Sequence, residues 1–370
     1  MLSPVLLGVI AIAIGLALGL VLFVPFVAIS YRRRGRLSFL RLLLWLAALI
    51  YFWAIWTYTL LPLPEPETIR CVGAILDPLS VLDDLRTAFR APGNPLTHPA
   101  LLQLVFNVLL FAPLGFFVRV LGGRGVGIAV LVGFGLSLFV ETTQLTGVWG
   151  LYPCAYRFFD VGDLITNTLG ALLGSVVAML VPREHRGSAA LPGAADPRPV
   201  TRGRRALAML CDGLGFWFVD AGVAIAVQLF LSQVVRDRRA VVDGGIAGLL
   251  GGAAASALWL AVILVTGRSV GDIAVQLRYE GGPLPRALAR PLRWLGGVAG
   301  IGAIGLAGGL FSTAEGVLTV LACAMLFFTH DGRGLPGVLS GQELRDARTP
   351  ATSSGTGAGD QAASARPRRQ

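Results

Sequence analysis

Charge is scarce in this chain. Asp, Glu, Lys and Arg make up 14% of 370 residues, against 55% hydrophobic residues. A soluble domain of that composition would lack the polar surface to cover its core, so membrane is the default reading. Cysteine is scarce too. Cys71, Cys154, Cys211 and Cys323 show no C-x-x-C spacing, which argues against a structural zinc site. No aromatic-basic motif for nucleic acid is present and no loop suits Ca²⁺ or Mg²⁺, so neither a nucleic-acid partner, a metal nor a cofactor is expected. No internal repeat stands out.

What the chain does have is long apolar runs. A hydrocarbon core of roughly 30 Å takes about 20 apolar residues as a helix. Such runs fall near residues 5–29, 39–61, 101–121, 126–146, 162–181, 206–231 and 246–266, with a Gly-rich stretch at 295–328. As one helix that last stretch would be about 50 Å long, so two short helices are expected there. The fold class predicted is all-α and polytopic, with about nine spans in two helical modules. The run from Leu6 to Ile29 has no basic n-region and is followed by Tyr31-Arg32-Arg33-Arg34 rather than a cleavage site, so it reads as a retained helix.

Arginines set the expected orientation. Arg32 to Arg36, Arg119 with Arg124, Arg183 to Arg205, and Arg268 to Arg293 fall on one side if the spans alternate, and that side is read as cytoplasmic. The N-terminus is then outside and the C-terminus inside; only Arg236, Arg238 and Arg239 dissent. The formal charge of +10 thus reports topology and attraction to anionic lipid. Residues 183–204 are rich in Pro, Gly, Ala and Arg and read as a cytoplasmic linker between modules 39–182 and 205–340. Residues 341–370 have almost no large apolar residues and read as a disordered basic tail.

Polar side chains inside spans are costly and are functional candidates by default. In the first module they cluster. Asn107 lies in the third span, and Glu141 and Gln144 lie three apart at the outer end of the fourth. Arg157, Asp160, Asp163 and Asn167 follow, the last three at i, i+3 and i+7 on one face. By the expected topology all seven lie near the same outer leaflet. Mutual pairing of Glu141, Arg157 and Asp160, a binding site, and a catalytic or metal-assisted site all remain open on this pattern. His98 reads as a surface histidine, and Cys71 and Cys154 both fall in outer loops where a disulfide is allowed. Cys211 and Cys323 read as small buried hydrophobes.

Several ordered stretches carry a family resemblance. They are Thr59-Leu60-Leu61-Pro62, Asn107 to Gly115, Glu141-Thr142-Thr143-Gln144 and Arg157 to Gly170. Across roughly residues 40–181 the chain resembles the VanZ-like family. That resemblance implies a bacterial inner-membrane protein, with the founding member linked to low-level resistance to teicoplanin, a lipidated glycopeptide. No reaction is carried over with it.

In the second module Arg205 and Asp212 sit two turns apart on one helix face, and an acid at that depth is expected to take a cation from Arg205, Arg290 or Arg293. The stretches Arg205 to Asp212, Thr266 to Asp272 with Leu277-Arg278-Tyr279, Leu288 to Arg293, and His330 to Pro336 resemble the RDD family across roughly residues 202–340. The signature positions are Arg205, Asp212, Arg290 and Asp331. Two departures are Asp272, where a lysine is expected, and Gly337, where an acid often follows Leu-Pro. Arg286 to Trp294 reads as an interfacial segment on anionic headgroups.

Three functions follow as expectations. The first is an envelope factor that binds a lipid-linked cell-wall component or glycopeptide at the outer cluster. The second is a membrane enzyme on such a substrate, with Glu141 or Asp160 as general base and Arg157 stabilising an anion. The third is an ion or solute transporter through the second module. Membrane lipids are expected partners, and the Gly-rich spans would support a homo-oligomer through close helix approach.

Overall fold

In lipid a backbone must satisfy its own N–H and C=O groups, and the long apolar runs do so as helices. The computed structural model describes residues 4–61, 63–65, 69–187, 189–329 and 332–350. Among them, eight helices are long and apolar enough to cross a membrane. The protein is an all-α multi-pass membrane protein, and it divides into two units, Met1–Ala194 and Ala195–Gln370.

Unit 1 contains α1 (Pro4–Arg34), α2 (Phe39–Leu60), β1 (Ala74–Ile75), α3 (Ser80–Arg90), α4 (Pro99–Val120), α5 (Val126–Leu145), the short turn α6 (Gly147–Gly150), β2 (Phe159–Asp160) and α7 (Val161–Val177). Small residues decide how closely α4 and α7 approach. A Cβ at Gly170 would overlap the carbonyl of Val108, and one at Gly174 the carbonyl of Ala112. Gly170 and Gly174 are four apart on one face, the spacing that lets transmembrane backbones touch. α5 closes on the same helix, with Gly133 against Ala171.

At one end of this bundle, β1 and β2 pair in parallel, Ala74 with Phe159 and Ile75 with Asp160. A disulfide joins Cys71 to Cys154, and the Val72 N–H donates to the carbonyl of Ala155 at 3.1 Å. The loop after α2 is thereby fastened beside the segment that leads into α7. At the opposite end, Arg34 and Arg41 both donate to the carbonyl of Gly187, at 2.7 and 2.9 Å, and the Leu191 N–H donates to the carbonyl of Arg33 at 2.8 Å.

Unit 2 contains α8 (Arg202–Phe230), α9 (Arg238–Asp243), α10 (Gly245–Thr266), α11 (Val270–Ala274), β3 (Leu277–Glu280), α12 (Arg286–Leu295), α13 (Val298–Gly305), α14 (Leu310–Phe328), α15 (Gly334–Ser340) and β4 (Glu343–Asp346). β3 and β4 are antiparallel, with Leu277 opposite Asp346 and Glu280 opposite Glu343.

Several expectations change here. The Gly-rich stretch does break into two helices, at Gly308 and Gly309, which both adopt positive φ. α13, however, has 8 residues, about 12 Å of helix and too short to cross, so the described residues hold eight long spans where about nine were expected. The tail expected from residue 341 is ordered through β4, because Leu344 is buried and Asp346 takes donors from Arg198, Arg204 and Arg348. Residues 351–370 lie outside the described residues. The linker is shorter than 183–204, since residues 187 and 191 are bonded into unit 1 and α8 already begins at Arg202. Cys211 is buried, but Cys323 is exposed: α14 buries Ala322 and Leu326, and the position next to Ala322 falls off that face.

Candidate functional site

The last carbonyls of a helix have no partner within it, and the end of α2 supplies them to the site. The carbonyl of Thr59 accepts from the Gln144 side-chain amide at 2.7 Å and from the Arg157 guanidinium at 3.0 Å. Arg157 reaches on to the carbonyl of Leu61 at 3.4 Å. A cation at a helix C-terminus also meets the negative end of its dipole.

Asp160 ends β2 and caps α7. Its Oδ1 accepts from the Gly162 N–H at 2.7 Å, while its own N–H donates to Oε2 of Glu141 on α5 at 3.1 Å. Asp163, in the first turn of α7, accepts from the Asn107 amide of α4 at 2.7 Å. One turn further, the Asn167 amide donates to the Ser137 hydroxyl of α5 at 2.9 Å, and its Oδ1 has no hydrogen-bond partner. Burial raises the Asp160 carboxyl from its ordinary value; the Gly162 N–H opposes that, and the charge of Asp84 on α3 adds to it.

All seven predicted residues therefore lie within one hydrogen-bonded region built by α2, α4, α5, β2 and α7, but not as an ion-pair cluster. The mutual pairing of Glu141, Arg157 and Asp160, one of the alternatives open on the sequence, gives way to backbone partners. Arg157 donates to two carbonyls and Glu141 accepts from an N–H, because the α2 terminus and the strand before α7 present unsatisfied backbone groups at that depth. His98 lies away from this network. Its Nδ1 accepts from the Ala100 N–H at 3.3 Å, capping α4.

Beside the cluster, the chain turns through an unusual conformation. Val148 and Trp149 both have left-handed backbones, with φ of 56° and 57°. For a β-branched residue this costs of order 1–3 kcal/mol and persists only when neighbours enforce it. They do: the Thr146 hydroxyl accepts from the Trp149 N–H at 3.1 Å, and the Tyr152 N–H donates to Gly147 at 2.8 Å. The Trp149 indole then donates to the Thr143 hydroxyl at 3.2 Å while most of its ring stays exposed, as do Leu151 and Phe158. Polar groups held on rigid helices, rimmed by exposed aromatic and aliphatic side chains, are suited to holding an amphiphilic molecule.

These elements lie within the region that the comparisons identify. Residues 39–182 match the VanZ/LLP1 family. No curated protein and no solved structure is similar enough to match. The VanZ-like region spans α2 to α7 and contains every residue of the cluster, together with the disulfide; α1 lies before it and all of unit 2 after it.

Outside the VanZ-like region, the structure rearranges the expected partners. Asp212 takes no arginine. Its carboxylate accepts from the Trp259 indole at 2.9 Å, the Ser269 hydroxyl at 2.7 Å and the Gly271 N–H at 2.7 Å. Three donors satisfy a buried carboxylate that a single guanidinium would leave short. Arg205 pairs instead with Asp272 at 2.9 Å, both buried. Asp272, where the sequence resemblance led to the expectation of a lysine, is thus the counter-charge of Arg205. Arg290 donates to the carbonyl of Leu264, the C-terminal end of α10. Asp331 lies outside the described residues.

Sequence reasoning missed four partners: the Thr59 carbonyl, Ser137, Asp84 and the Arg204–Asp346 pair at 2.7 Å. Ser137 had a signal, a hydroxyl four residues before Glu141 on the same helix face. The Thr59 carbonyl had none, because every residue carries one.

Proposed function

We propose that this protein is a cell-envelope factor of the bacterial cytoplasmic membrane. In this reading the polar end of unit 1 faces outward and binds a lipid-linked cell-wall component or a glycopeptide antibiotic, contributing to teicoplanin-type resistance. One observation carries the reading: seven polar side chains from separate elements are held at one end of the VanZ-like region, next to the exposed Trp149, Leu151 and Phe158. Sugars and peptide groups suit the first set, and a lipid chain suits the second. The disulfide at the same end and the arginines at the other support the orientation, with the N-terminus outside and the C-terminus cytoplasmic.

Binding is favoured over catalysis because Arg157 and Glu141 are engaged by backbone groups, and no nucleophile is hydrogen-bonded to a base among them. Unit 2 reads as an RDD-like module on its Arg205, Asp212 and Arg290 stretches. Transport through it is the weaker reading, since Asp272 is bonded to Arg205 and Asp212 is saturated by neutral donors.

The test is teicoplanin and vancomycin susceptibility in a susceptible bacterial host expressing wild type or Glu141→Gln, with membrane-fraction protein measured in parallel. Tolerance to teicoplanin that is lost in the variant at unchanged protein level supports the reading. No tolerance with wild type sinks it.

A further inference from the structure

Within unit 2 lies a cavity of about 580 Å³, in the size range of sites that enclose a whole small molecule. Its wall is apolar over most of its extent, with Met209, Leu210, Phe216, Ile301, Leu326 and Phe327. At one end the wall is charged: Arg205, Asp212, Asp272 and Arg293 all line it. Both arginines flank one aromatic ring. The Cζ of Arg205 is 5.6 Å and that of Arg293 5.1 Å from the centroid of Tyr279.

A donor and acceptor count at this end is unequal. Each carboxylate oxygen is already engaged: Asp212 takes three donors, and Asp272 takes Arg205 and the Ser269 N–H. The donors are not. Arg205 and Arg293 are 5% and 3% exposed, and the Nε of each has no hydrogen-bond partner. Arg293 uses one terminal nitrogen on the carbonyl of Gly267 and the other, at 3.5 Å, on Gln342. Leaving a charged donor unpaired in a buried site is costly, and guanidinium donors match the oxygens of phosphate or carboxylate. A ligand that brings acceptors to this end and hydrocarbon to the rest would satisfy both halves of the cavity.

We propose that the unit 2 cavity binds an anionic amphiphile, its phosphate or carboxylate head accepting from Arg205 and Arg293 and its hydrocarbon body lying along Met209, Phe216, Ile301 and Leu326. Glu315 marks the other end. It lines the same cavity beside Gly305, the last residue of α13, and that helix is about 12 Å long. This site is separate from the polar cluster of unit 1, and it holds whether or not that cluster takes a glycopeptide.

The experiment uses the full chain purified in a neutral detergent and native mass spectrometry with four probes: lysophosphatidic acid, palmitate, monoolein and inorganic phosphate. The protein is expected to retain at least one anionic amphiphile about tenfold more tightly than monoolein, with no stable phosphate adduct. Retention of lysophosphatidic acid alone assigns the head as phosphate, and retention of palmitate alone as carboxylate. Arg293→Gln should cut that retention by about tenfold, and Ala322→Phe, which adds a ring on the cavity wall and leaves the arginines, should do the same. Thermal unfolding of each variant checks its fold, and if Arg293→Gln does not fold, Ala322→Phe decides. Equal retention of monoolein, wild-type retention in the folded variants, or phosphate held as tightly as the lipid would each overturn the proposal.

Discussion

The side-chain amide of Asn107 donates to Oδ1 of Asp163 at 2.7 Å, tying α4 to the first turn of α7 across 56 residues of sequence. Both groups are half-buried, and Asp163 also accepts from the Gln103 side chain of α4. Asn107→Leu should lower the stability of the folded protein by about 0.5–1.5 kcal/mol, the net worth of one hydrogen bond to an acceptor that keeps its Gln103 partner. Adding Asp163→Leu should recover part of that loss. A double-mutant cycle by denaturant unfolding in detergent measures it, and additive losses would show that the pair is not coupled.

Close helix approach gives a second prediction. Gly174 leaves no room for a side chain between α7 and the carbonyl of Ala112. Gly174→Leu should force the helices apart and lose the folded protein from the membrane fraction, whereas Gly127→Ala, at a position with open space around it, should be tolerated. The comparison is read by fluorescence-detected size exclusion of tagged variants.

The disulfide between Cys71 and Cys154 encloses 83 residues of sequence separation. Removing it with Cys71→Ser should cost about 2–4 kcal/mol. It should also loosen the pairing of β1 with β2, which hydrogen exchange at Phe159, whose N–H donates to the carbonyl of Gly73, would report as faster exchange than in wild type. Unchanged exchange would mean the strands hold without the bond.

Asp346 gives a pH dependence of definite sign. Burial acts to raise its carboxyl, but hydrogen bonds from Arg348 and Arg204 outweigh that and hold it well below the usual carboxylate range. A depressed carboxylate stabilises the fold at pH values above its unfolded pKa, and that contribution is lost as pH falls from about 4 toward the folded value. Thermal unfolding between pH 6 and about pH 3 should therefore show a drop that Asp346→Asn lacks.

How much of this was legible beforehand differs from residue to residue. Asn107, Glu141 and Asp163 declared themselves because a polar side chain in an apolar run has few explanations, and the expected topology then put them near one outer leaflet. Their partners did not. The carbonyl that receives Gln144 and Arg157 is exposed only because α2 ends at Leu60, and helix ends are the least readable feature of an apolar run. Asp272 looked like a departure from a pattern until folding brought it to Arg205, a contact between positions 67 apart. β4 was invisible for a different reason: Leu344 is its one large buried apolar residue, and its order comes from arginine contacts made elsewhere in unit 2.

The short stretch between the units has a practical consequence. On one side Leu191 is bonded to Arg33, and on the other the Arg198 N–H donates to Asp346 at 3.0 Å, so each flank is anchored in its own unit. Chain continuity from 195 to 197 carries none of the tertiary contacts described above. Two polypeptides, one ending at 195 and the other starting at 196, would each keep the hydrogen bonds described above for their half. The protein could thus be made as a pair of separately encoded pieces, which would let either be exchanged without recoding the other.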